Sequence, residues 1–191
     1  MRTILSLAAA ALLAACGSNA PEGVNGDAPV APMANNPAVV ASPTLPAAVT
    51  TAWSAATGHY LELKDALVAS DLAAAQSAAR AMTAALAGAD MAAMADAHDL
   101  YMRQAAALQP AANEIATAAT LEAAREAFGP LTGAVVAAVG QLGDGGRDLY
   151  VQYCPMAFDN EGAEWVAAER EVRNPYFGDA MLTCGRVTRE L

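Results

Sequence analysis

The chain has 191 residues, 55% of them apolar, with 20 acidic against 10 basic residues and a formal net charge of −10 at pH 7. That length holds one domain with a full core but hardly two, and so acidic a chain has no electrostatic footprint for nucleic acid or anionic lipid. A cationic partner, including a metal ion, is easier to accommodate.

The chain starts Met1-Arg2, runs through an apolar stretch over residues 4–13 and reaches Ala14-Ala15-Cys16-Gly17. A charged start, a short apolar region and a small-residue cleavage site predict a secretory signal over residues 1–15. The stretch is shorter than the ~20 apolar residues that a membrane-crossing helix needs. A Cys directly after Leu-Ala-Ala resembles the bacterial lipobox, which implies that Cys16 carries the lipid and becomes the new N-terminus. An ordinary cleaved signal with a stray Cys is the alternative. Gly17, where Asp would signal retention, is similar to the sorting pattern for the outer membrane. The expected address is therefore exported and lipid-anchored, at the outer membrane facing the periplasm, with the lipid as the only membrane contact.

Residues 16–46 read as a lipid-anchored, disordered Pro/Ala-rich linker, because residues 17–46 hold six of the ten prolines among Gly, Ser, Asn and Ala. Such a stretch cannot bury enough apolar surface to offset its ordering entropy; as a flexible coil it spans about 30 Å. From Ala47 the texture turns to long Ala- and Leu-rich segments, which is helical sequence. A first helix is predicted to Val68, with Trp53, Tyr60, Leu63 and Leu67 near one face. Ser70 and Asp71 offer caps for a second, to about Leu86, with Gly88 as its stop. A third is predicted from Asp90 to about Leu108, ended by Pro110 with a continuation open to Ala119. Thr120 caps a fourth, to Leu142, which Gly129-Pro130 should kink or interrupt. Short connections favour an antiparallel bundle of about four helices over residues 47–142, so the fold class expected is mainly α.

Residues 143–191 change character again and read as a turn-rich cap packed on the bundle. Six of the ten aromatic residues fall here, and a short hairpin is expected through residues 149–153 and 165–166. The cap also holds Cys154-Pro155-Met156 and Met181-Leu182-Thr183-Cys184. Thiolate and thioether sulfurs select Cu(I) over hard cations, and Met181 and Cys184 at i, i+3 share a helical face. Together Cys154, Met156, Met181 and Cys184 would make a soft-metal site. The competing reading is a Cys154–Cys184 disulfide closing a loop of about thirty residues, worth ~3–4 kcal/mol in the chain-entropy model. Met156 and Met181 would then only fill core gaps, and no cofactor would be held. An empty reduced pair can also oxidise, linking the two states.

Met91, Met94, His98 and Met102, at spacings of 3, 4 and 4, would form one stripe on the third helix,. It reads as a bundle-facing side in preference to a copper track. No Glu-x-x-His pair, Cys-x-x-Cys-His or His-Glu-x-x-His is present in the sequence, which removes bundle di-iron, covalent haem and zinc-protease chemistry,. His59 and His98 leave non-covalent haem as a minor alternative. Glu122, Glu126 and Glu169 read as solvated helix charges. No catalytic residues emerge, and the chain is not expected to be an enzyme.

Tyr153-Cys154-Pro155-Met156, Trp165, Asn174-Pro175-Tyr176-Phe177-Gly178 and Met181-Leu182-Thr183-Cys184-Gly185 resemble the signature of the bacterial domain-of-unknown-function 3347 family. Upstream, Tyr60-Leu61, Lys64-Asp65-Ala66-Leu67, Arg125 and Phe128 are similar to its helical part. The resemblance covers most of residues 47–188, although the helices here are richer in alanine. Members are stand-alone exported proteins or modules joined to periplasmic adaptors of copper- and silver-type efflux systems. The resemblance therefore implies Cu(I), or less readily Ag(I), as the ion and an efflux adaptor as a partner. Buffering or transfer of the ion is the implied role. The alternative is a structural or interaction module of the cell envelope locked by the disulfide.

Overall fold

The computed structural model describes residues 44–191. The predicted signal peptide, the lipid-attachment residue Cys16 and the linker up to residue 43 lie outside them. The fold is mainly helical: α1 (Ala47–Val68), α2 (Leu72–Ala87), α3 (His98–Thr117) and α4 (Leu121–Leu142) precede a small sheet. Capping sets two of the starts. The Asp71 carboxylate accepts from the Ala74 N–H at 2.9 Å, and the Thr120 hydroxyl accepts from the Ala123 N–H at 3.1 Å. Each cap stabilises its helix by about 1 kcal/mol. Among the described residues no helix is long and apolar enough to cross a membrane.

Bonds between helix ends fix an antiparallel bundle. Trp53 near the start of α1 donates from Nε1 to the Gly143 carbonyl just past α4 (2.7 Å). Arg125 near the start of α4 donates to the Leu67 carbonyl near the end of α1 (3.0 Å). The Tyr101 hydroxyl, early in α3, donates to the Leu86 carbonyl at the end of α2 (2.8 Å). Buried alanines such as Ala56, Ala79, Ala112 and Ala138 line the interior between large residues such as Trp53, Leu63, Met82, Leu108 and Phe128. Small side chains let helix axes approach, while the large ones fill the remaining space.

Three expectations need correcting. The third helix does not start at Asp90: residues 91–93 and 95–97 form separate 3-10 turns and Ala95 takes φ +47°, so α3 begins at His98. Nor does Pro110 end it, since α3 continues to Thr117. Gly129-Pro130 likewise fails to break α4. Both prolines are exposed, as are Ala106 and Glu126 four residues earlier. The carbonyls that lose a helical partner can therefore turn to water, which lowers the usual cost of a mid-helix proline.

The C-terminal part is a three-stranded antiparallel sheet of order β2-β1-β3: β1 (Tyr150–Cys154), β2 (Ala163–Ala167) and β3 (Arg186–Glu190). The expected hairpin is β1 on β2, with Val151 opposite Val166 and Gln152 opposite Trp165. The third strand, Arg-Val-Thr-Arg-Glu, pairs Tyr153 with Arg186 after a register shift between Val151 and Gln152. It is mostly exposed, as suits a charged edge strand,.

The sheet is joined to the bundle through polar contacts within an aromatic seam. Tyr60 of α1 shares a 2.7 Å hydrogen bond with Thr132 of α4 and accepts from the Val166 N–H of β2 at 3.0 Å. Its ring stacks on Phe128, with centroids 5.2 Å apart. Glu169, just past β2, sits on no helix and pairs with Lys64, which is 0% exposed; the solvated-charge reading fails for it.

Burial raises the Tyr60 hydroxyl far above the ordinary tyrosine value of 10.0 and does the same to Tyr176, with Tyr60 adding to the second shift. An acid whose folded value is raised stabilises the fold fully below the unfolded value, and that contribution is lost as pH climbs above it. Stability should therefore fall above pH ~10, by as much as about 1.4 kcal/mol per pH unit for each of the two tyrosines. Urea melts between pH 9 and about 11 should show a shallower fall in Tyr60→Phe. Equal slopes would show that Tyr60 is not the group responsible.

Candidate metal centre

Cys154 closes β1, and Cys184 lies two residues before β3 on the neighbouring edge of the sheet. Antiparallel pairing of these strands brings the thiols together, with Sγ–Sγ 2.7 Å. Cys154 is buried and Cys184 half-buried. The nearby Cys154 thiol raises the Cys184 thiol above its ordinary value of 9.0; burial adds to this, and a hydrogen bond from the Met156 N–H opposes it. Deprotonated and moved apart, the two thiols can share one soft ion; given an external two-electron oxidant they lose two protons and two electrons and form an S–S bond.

The loop carrying Met181 and Cys184 is organised by Asn174, which is completely buried. Its N–H donates to the Leu182 carbonyl (2.8 Å) and its Nδ2 to the Cys184 carbonyl (2.8 Å). Its Oδ1 accepts from the Tyr176 N–H (2.8 Å). One amide side chain thus satisfies the backbone at both ends of the loop, which a buried turn requires. Asn174 stands in the motif quoted above, but its supporting role was not legible there. Gly185 has φ +144°, and a Cβ there would lie 2.8 Å from the Trp165 ring, so glycine lets the entry to β3 pass close beneath it.

The two thioethers sit differently from the thiols. Met156 and Met181 line a common groove of about 570 Å³ between α4 and the cap, a groove that neither cysteine lines. Met156 is 49% exposed. Two of the four sulfurs thus form a close thiol pair, and the other two belong to methionines that line the groove. No three His, Cys, Asp or Glu side chains converge as metal ligands among the described residues.

The methionine-histidine stripe is broken up by the 3-10 turns: Met94 is buried, Met91 half-buried and Met102 exposed. His98 and His59 lie at helix surfaces beside Asp99 (3.1 Å) and Glu62 (2.8 Å), respectively.

The resemblance read from the sequence is borne out by a family-model match over residues 56–145, to a family described as "Protein of unknown function (DUF3347)". That span takes in most of the bundle, including Tyr60, Lys64, Arg125 and Phe128, and stops before Cys154. Comparison with curated proteins and with solved structures gives no match.

Proposed function

We propose that this protein is a non-enzymatic lipoprotein that binds a soft metal ion on the periplasmic side of the envelope. The ion is Cu(I), with Ag(I) second, held by Cys154 and Cys184 with Met156 and Met181 as thioether donors. The protein buffers the ion or passes it by ligand exchange to an efflux adaptor, and its own membrane contact is the lipid on Cys16. The observation that carries this reading is the meeting of two thiols 30 residues apart in the chain at 2.7 Å, beside a groove lined by two thioethers. Thiolate with thioether is a donor set for Cu(I) and not for a hard cation. The exported, efflux-linked relatives that the sequence resembles support the same role.

A second reading rests on the burial of Cys154 together with the same short separation. Oxidised to a disulfide, the pair would lock the end of β1 to the loop before β3, leaving a structural or interaction module. Anaerobic Cu(I) titration against a competing chelator separates the two. Cys154→Ser and Cys184→Ser should each weaken binding by at least about tenfold, since each removes an anionic ligand. Unchanged affinity in both variants would remove the metal centre. A thiol count on protein taken from the periplasmic side should then give no free thiol and no metal.

A further inference from the structure

The groove between α4 and the cap carries three carboxylates against a single guanidinium, that of Arg125. Glu122 and Glu126 stand one turn apart on α4, and Asp159 lies on the cap side. None of the three forms an ion pair among the described residues. Arg125 also lines the groove, but its guanidinium donates to the Pro175 and Leu67 carbonyls and to the Ser70 hydroxyl, at 2.8, 3.0 and 3.0 Å. Like charges at i, i+4 destabilise a helix by about 0.2–0.5 kcal/mol, which an arriving cation would relieve.

Beside these carboxylates lie Met156, Met181 and Phe177. Methionine surfaces accommodate apolar side chains of varied shape. Phe158, Asp159 and Asn160 form the lip with three successive positive φ values, +51°, +55° and +74°. The Phe158 ring meets Tyr176 edge-on, with centroids 5.1 Å apart, and packs over α4 at Gly129, where an added Cβ would touch it at an ordinary 3.5 Å.

The geometry points to a docking site for a basic segment of another protein, one in which Lys or Arg side chains alternate with Met, Leu or aromatic residues. The basic groups face Glu122, Glu126 and Asp159, and the apolar ones settle on Met156, Met181 and Phe177. A single ion would leave most of about 570 Å³ unfilled. This chain's own residues 17–46 contain no Lys or Arg and do contain Glu22 and Asp27, so they lack the complementary charge. A second copy would bring a net charge of −10 against the acidic surface,. The bound segment would lie against Met156, two residues along the chain from Cys154. The proposal does not depend on what those thiols hold.

Selection of a displayed random-peptide library on the full chain tests it. The enriched sequences should share a basic-apolar consensus, and a synthetic consensus peptide should bind in fluorescence anisotropy. The Glu122→Lys/Glu126→Lys protein should bind that peptide at least about tenfold more weakly. Met156→Gln, which keeps the charge, should lose several-fold, whereas Glu114→Lys, outside the groove, should lose nothing. The Cys154→Ser/Cys184→Ser protein should bind normally, so failure of the metal reading leaves this result standing. A library yielding no basic-apolar consensus overturns the proposal. So does equal harm from Glu114→Lys with none from Met156→Gln, which means unspecific charge attraction. Light scattering that finds a dimer dissolved by the α4 changes would assign the groove to a second copy instead.

Discussion

Lys64→Ala is expected to lower the stability of the protein by about 2–4 kcal/mol, although it alters one position on one helix. Lys64 is the only lysine in the chain, and its side chain is completely buried. Its ammonium pairs with Asp65 at 2.9 Å and with Glu169 of the cap. The Gln152 amide holds the same cap segment from the sheet side, donating to the carbonyls of Glu169 (2.7 Å) and Glu171 (3.1 Å). Removing the cation leaves Glu169 without its partner, empties the space of a four-carbon stem and frees the segment after β2. Breaking a fully buried pair costs about 3–5 kcal/mol; the lower range applies here because Glu169 is partly exposed and can rehydrate. Lys64→Met fills the same volume without the charge and should recover about half of the loss. Urea denaturation of the three proteins decides the matter. A loss below about 1 kcal/mol in the alanine variant would mean that the ion pair contributes no more than an exposed one.

That prediction depends on tertiary proximity that one-dimensional patterns do not contain. Helix starts were legible where a side chain caps them, as at Asp71 and Thr120. The start of α3 was not, because the positive φ of Ala95 has no signature in an alanine-rich run. Pro110 and Pro130 misled because a proline is judged as a breaker until its face is known. Strand β3 escaped because Val187 is the only strongly apolar residue in its charged sequence, too little for an alternating pattern,. Sequence spacing treated Cys154, Met156, Met181 and Cys184 as one ligand set. The strand ladder pairs the two cysteines, a contact that spacing alone could not show, and both methionines line the groove between α4 and the cap. Glu169 looked like a solvated charge because its partner Lys64 lies 105 residues away.

The seam between bundle and cap also makes Gly178→Ala a sharp test of how the cap is seated. Gly178 has φ +56°, and a Cβ there would lie 2.7 Å from the Ser70 hydroxyl, 2.9 Å from Arg125 Nη2 and 3.0 Å from the Val68 carbonyl. The first two atoms belong to the latch in which Arg125 ties the end of α1 to Pro175 of the cap. The third is backbone at the end of α1 and has little freedom to yield. Alanine in the left-handed region costs about 1–2 kcal/mol, and forcing a methyl into a packed seam adds about 1–3 kcal/mol. Gly146→Ala provides the control: φ there is +77°, but nothing lies within 4 Å of the added methyl. It should show the conformational cost alone. The difference between the two variants in thermal and urea melts therefore measures the steric cost at the latch. It should exceed about 1 kcal/mol if the cap is held where Arg125 and Ser70 place it, and vanish if the cap can shift outward as a unit.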